Sequence, residues 1–197
     1  MMLHRKNIAS IIFLIVIATV RPFAQIGCNE TYAKALGSLI DNERGYSLAV
    51  SNQEPVIYLG GLKNDSVVIL KILISGVIEW TRTFDFIPGR ADYLHGFIVD
   101  SEGMIVGSGG VDSPQQGTTV FAFRYNPGNN TMLWANDYSS VFNNLANSIQ
   151  EIVPGGDYLM SNNPHTTTPN DLELLKLNRI TGDIIPSFSK HYGLGGS

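Results

Sequence analysis

The side chains able to carry protons, hold metals or attack carbonyls are few in this chain of 197 residues, and they are widely spaced. His95, His165 and His191 fall in separate segments, with no His-Glu-x-x-His, paired cysteines or tight His/Asp cluster around them, so zinc chemistry has little support. Asp65 and Asp171 each precede an apolar run, and Asp112 lies in the corresponding polar loop of the segment between them. Calcium asks for roughly six to eight oxygens, and no Asp-x-Asp-x-Asp loop supplies them here; these acids read instead as turn-initiating or strand-capping residues. Gly107-Ser-Gly-Gly110 is glycine-rich but follows a strand with no helix behind it, which removes both the dinucleotide fingerprint and the phosphate loop. It reads as the edge of a repeated sheet unit that needs tight packing. Ser108 and Ser161 lack the Gly-x-Ser-x-Gly context of a hydrolase elbow. No catalytic residue, cofactor-binding residue or metal ligand is assigned, and no cofactor is expected.

Recognition is the chemistry left. The segments Ser113–Thr119 and Asn162–Asn170 are rich in amides and hydroxyls, and the spacing places them in loops between a second and a third strand. Gln115, Gln116, Asn162, Asn163, His165 and Asn170 are the candidate binding residues, with side chains that suit glycans or peptides and equally suit ordinary solvated loops. Cys28 is the only cysteine, so no intramolecular disulfide forms. Its place just after an apolar segment opens a lipoprotein reading, in which Cys28 becomes an acylated N-terminus. The preceding Gln25-Ile26-Gly27 is a poor match to the usual lead for that reaction.

The net charge is −4, from 13 Lys and Arg against 17 Asp and Glu, and the cations are scattered. Nucleic-acid binding depends on clustered cations, so it is not expected. The chain opens with His4-Arg5-Lys6 and an apolar run from Ile8 to Val20. That run is short for a bilayer but suits a signal-peptide core. Residues 1–25 are therefore read as a signal peptide cleaved near Phe23-Ala24-Gln25, leaving no transmembrane span. The expected location is secreted or cell-surface, with a periplasmic or outer-membrane lipoprotein as the alternative.

Residues 26–44 are expected to form a short helical lead-in, because Tyr32, Ala35, Leu36, Leu39 and Ile40 recur at three and four residues. From Gly45 onward the pattern is of strands: short β-branched or aromatic runs separated by Gly, Asn, Asp and Pro. A unit of roughly fifty residues recurs, about 45–89, 90–142 and 143–197, the kind of period that marks a modular array. Lys71, Arg124 and Lys176 fall at matching places, as do Gly76, Gly128 and Gly182, and Trp80 and Trp134 follow the first two glycines. Superposing the units predicts strands at about 46–51, 55–60, 66–73 and 77–84, then 94–100, 103–108, 118–126 and 131–138, then 147–153, 157–161, 171–178 and 183–190. Four strands per unit is the blade of a β-propeller.

The segment Leu177-Asn-Arg-Ile-Thr-Gly-Asp-Ile184, with looser copies from Lys71 to Trp80 and from Arg124 to Trp134, resembles the repeat of quinoprotein-like propellers. In the third unit Pro186 stands where that family has its tryptophan. Tyr58-Leu-Gly-Gly61 and Ile105-Val-Gly-Ser-Gly-Gly110, behind a leader ending in Phe23-Ala24-Gln25, resemble the propeller repeats of secreted Bacteroidetes-type proteins. Both resemblances imply an all-β chain: an incomplete β-propeller of about three four-stranded blades after a signal peptide. Propellers typically have about four to eight blades, so the expectation is the N-terminal part of a longer protein that supplies the remaining blades. The function expected is a non-catalytic scaffold binding a protein or carbohydrate partner. The alternative is the N-terminal part of a propeller enzyme, a quinoprotein-like dehydrogenase or a hydrolase, whose catalytic residues lie outside this chain.

Overall fold

The computed structural model describes residues 42–111, 119–138, 144–164, 172–188 and 190–192, all within one compact unit spanning 36–197. Strands β1 (Glu43–Val50), β2 (Val56–Lys63), β3 (Ser66–Leu73) and β4 (Ile78–Phe84) make a first antiparallel sheet. The second holds β5 (Asp92–Val99), β6 (Ile105–Val111), β7 (Thr119–Asn126) and β8 (Thr131–Tyr138). In the third are β9 (Asn144–Glu151), β10 (Tyr158–Pro164), β11 (Leu172–Leu177) and the short β12 (Lys190–Tyr192). Within every sheet the strands lie side by side in chain order, and among the described residues there is no helix. Most of the expected lead-in lies outside the described residues, but Glu43 and Arg44 belong to β1.

The expected fourth strand of the third unit, about 183–190, is broken. Ile184 makes an isolated bridge to Leu177, the chain turns through 186–188, and pairing with β11 resumes only at Lys190. Pro186 accounts for the break, since it has no N–H to give a ladder and fixes its own φ.

Turn chemistry sets the register. Asn64 and Asp65 link β2 to β3 with φ of 46° and 69°, the pair of positive values that a two-residue hairpin of right-handed twist requires. Asp65 is thus a turn residue, and its carbonyl also accepts the Asp92 N–H at 2.9 Å. In the third-to-fourth-strand turns, positive φ falls on Gly76 and Gly182 as the repeat implies. In the second sheet it falls on Asn130 (58°) rather than on Gly128, an asparagine being the next most tolerant residue there.

Each sheet also carries a bulge between its first and second strands. Gly45 and Ser47 face consecutive residues of β2, Leu94 and Gly96 those of β6, and Ala146 and Ser148 those of β10, which leaves Tyr46, His95 and Asn147 unpaired. The two seams are built alike. Strand β5 packs over β1, β2 and β3, and β9 packs over β5, β6 and β7. The first seam buries Tyr58, Ile69, Leu94, Phe97, Ile105, Phe121, Phe123 and Tyr125. The second buries Val106, Ala122, Trp134, Ile149, Tyr158, Met160 and Leu177. Leu94 sits where Gly60 leaves room; a Cβ at Gly60 would stand 2.5 Å from its Cδ2. Burying one such side chain contributes about 1.5–3 kcal/mol, so apolar packing is the main force joining sheet to sheet.

Candidate functional site

The cation near the end of each third strand meets an acid at the turn between the first two strands, and Lys71 also meets Glu79 of β4. Lys71 lies 2.9 Å from Glu54 and 3.1 Å from Glu79, Arg124 lies 2.9 Å from Asp100 and 2.7 Å from Glu102, and Lys176 lies 3.0 Å from Asp157. Antiparallel pairing explains the meeting, because the far end of the third strand runs alongside the start of the second.

Among the described residues, the second sheet alone extends this pair into a buried network. Asp100 is fully buried, and its Oδ1 accepts the backbone N–H groups of Glu102 and Met104, both at 2.9 Å. Its Oδ2 accepts Arg124 Nε at 3.0 Å, Arg124 Nη2 at 2.9 Å and the Tyr158 hydroxyl at 2.7 Å. Burial pushes the Asp100 carboxyl up, but Tyr158, the Met104 N–H and Arg124 together hold it below the ordinary carboxylate value. Burial, joined by the hydrogen bond to Asp100, drives the Tyr158 hydroxyl far upward, so it stays a donor.

From the third sheet Arg179 completes the cluster, with Nη1 3.1 Å from Glu151 and Nη2 2.7 Å from Glu102 and 3.6 Å from Asp100. Glu151 in turn accepts the Ser101 N–H and hydroxyl, both at 2.8 Å, and the Gly155 N–H at 2.9 Å. Two guanidinium groups and three carboxylates thus tie the second sheet to the third. Outer contacts reinforce the tie: Trp134 Nε1 donates to the Arg179 carbonyl at 2.9 Å, and the Tyr138 hydroxyl donates to the Gly182 carbonyl at 2.6 Å. The first seam has a lighter version, in which Gln53 donates to the Ser101 carbonyl and Arg82 to Asn130 Oδ1.

The chemistry of this cluster is cohesion. Both oxygens of Asp100 are engaged, Arg124 is bidentate, and Tyr158 already donates its proton. A general acid or base needs a free lone pair or proton aimed at substrate, and these atoms point at each other. The groups of His/Cys/Asp/Glu able to hold a metal ion number none among the described residues.

The expected binding residues are placed unevenly. Asn162, expected in a loop, lies inside β10 and is 2 % exposed, its Nδ2 donating to Glu173 at 3.1 Å. The strand runs on to Pro164 because the Asn162 and Asn163 backbones pair with Ala146 and Leu145 of β9. Gln115, Gln116, His165, Asn170 and Cys28 lie outside the described residues, as do Asp112 and Asp171. Ser108 is buried in β6 with no hydrogen-bond partner for its hydroxyl among the described residues. The glycine-rich run around it is close-packed, as expected, but it forms an interior strand rather than a blade edge. A Cβ at Gly107 would stand 2.5 Å from the Phe123 ring.

Asp100, Glu151 and Arg179 were not singled out by residue type. The matched spacing of Lys71, Arg124 and Lys176 was the available signal, since each has its acid in a corresponding turn. The described chain is defined as a class by three stacked antiparallel meanders with a charge-filled second seam. No protein-family model matches the chain, and no curated protein matches it either.

Proposed function

We propose that the chain is an exported, non-catalytic scaffold of the β-propeller kind, which presents loops and strand ends to a protein or carbohydrate partner. The observation that carries the reading is the repeated packing relation: β5 lies over β1, β2 and β3 as β9 lies over β5, β6 and β7. In a propeller, four-stranded meanders step around an axis, and a packing relation repeated from sheet to sheet fits that arrangement. A buried charge network that joins sheets favours rigidity over turnover. Rigid sheets with polar loops between second and third strands suit recognition.

The test is to display the purified chain against glycan and extracellular-protein arrays, beside variants in which 113–118 or 165–170 is replaced by Gly-Ser. Saturable binding that at least one variant loses would support the reading. Turnover of a substrate by the chain alone, or a complete lack of binding to either array, would overturn it.

A further inference from the structure

The three bulges place a side chain out of the ladder at the same point of each first strand: Tyr46 in β1, His95 in β5 and Asn147 in β9. A bulge re-aims its extra residue, and bulges are common beside functional sites. These three lie where first strands meet. The Tyr46 and His95 rings are 5.7 Å apart at 52°. Gly96, next to His95, comes so near β9 that an added Cβ would stand 2.8 Å from the Ile149 nitrogen and 3.0 Å from the Ser148 carbonyl carbon, just past Asn147.

The hydroxyls of Tyr58, Tyr125, Tyr138 and Tyr158 all donate to a partner. Among the described residues, by contrast, no hydrogen bond or ion pair engages the Tyr46 hydroxyl, the His95 ring nitrogens or the Asn147 amide. Tyr46 and His95 are half-buried, whereas Asn147 and Ser148 are exposed. Burial pulls the His95 imidazole below its ordinary value, so the ring is neutral at neutral pH.

A phenol and a neutral imidazole in contact, with a primary amide at the matching bulge of the next first strand, offer donors and acceptors without a formal charge. Sugar hydroxyls both donate and accept, and the C–H face of a pyranose packs on an aromatic ring. A phosphate or carboxylate would ask for a guanidinium or ammonium partner, and no residue of the row supplies one. We propose that Tyr46, His95 and Asn147 form a binding site for a neutral saccharide chain. The inference rests on the scaffold reading and narrows it to one ligand class and one place.

The full chain is titrated calorimetrically with neutral gluco-, xylo- and manno-oligosaccharides and, in parallel, with uronate oligomers. Neutral sugars are expected to bind, and the His95→Gln, Asn147→Ala double variant to bind at least about tenfold more weakly, with an unchanged melting temperature. Tyr46→Phe should lose a few-fold, keeping the ring and dropping the hydroxyl. Failure of every neutral sugar to bind, or undiminished binding by the double variant, overturns the proposal. Should the double variant melt early, Asn147→Ala alone decides, because that residue is exposed. Loss of binding on replacing 165–170 while the row variants still bind would leave the scaffold reading standing and remove this site. Capture of a protein partner without any sugar would do the same.

Discussion

Asp92 opens β5, where the chain crosses from the first sheet to the second, and its carboxylate is fully buried. Oδ2 accepts the Phe86 N–H at 2.7 Å, while Oδ1 has no hydrogen-bond partner among the described residues. Burial, with the Asp85 charge added, pushes the group from its ordinary 3.8 up to about 6 against the pull of the Phe86 N–H. A folded value above the unfolded one means that Asp92 stabilises the fold most below pH 3.8, and that this contribution is lost as pH rises through about 6. The whole displacement is worth roughly 3 kcal/mol, of which about 2 kcal/mol falls between pH 7.5 and 4.5. Asp92→Asn keeps an acceptor for Phe86 and cannot ionise. Urea unfolding of both proteins at pH 4.5 and 7.5 should therefore show the variant gaining about 2 kcal/mol on the wild type at the higher pH. That is a relative midpoint shift of about 1 M. Other titrating groups cancel in the difference. Parallel pH profiles for the two proteins would refute the reasoning, because they would mean that Asp92 ionises in the fold as freely as in the unfolded chain.

Asp100→Ala should destabilise the chain by about 3–5 kcal/mol in urea melts, since it strands Arg124 and part of the Arg179 charge in a buried seam. Trp134→Phe should cost about 1–3 kcal/mol by leaving the Arg179 carbonyl without its donor, read as a lower melting temperature. Gly109→Ala would drive a methyl onto the Tyr93 carbonyl oxygen and should abolish soluble expression. Gly89→Ala, at a φ of 79° with open space around it, should cost only about 1 kcal/mol. N-terminal sequencing of protein exported by an expressing cell should begin near Gln25, and metabolic lipid labelling that Cys28→Ala abolishes would select the acylated form instead.

The strands were most legible where composition and turn agreed. Ser66–Leu73 and Thr131–Tyr138 fall where the sequence places them, because β-branched or alternating runs end at residues able to take positive φ. In the last unit the apolar neighbours of Pro186 suggest a strand, and its missing N–H breaks it. The bulges were not visible, because a single extra residue inside a two-residue period changes which face a side chain takes without changing composition. The polarity of Asn162 suggests a loop, yet its backbone pairs with Ala146 and its Nδ2 donates to Glu173 across the ladder, which hold it in a buried strand. Asp100 was invisible as a buried acid for the same reason: its partners come from β7 and β10, 24 and 58 residues away.

Side-by-side strands in chain order have a kinetic meaning. Every ladder in the described chain joins neighbours in sequence, and β2–β3 closes through only Asn64 and Asp65, so ladder formation carries a small entropic cost. The distant contacts are confined to the seams, where one finished meander settles on the next. Folding of such a chain is expected to advance from the first sheet toward the third as it is synthesised. The rate should be governed by docking, with the slow step sensitive to Leu94 and Trp134 and nearly indifferent to the length of the hairpin turns.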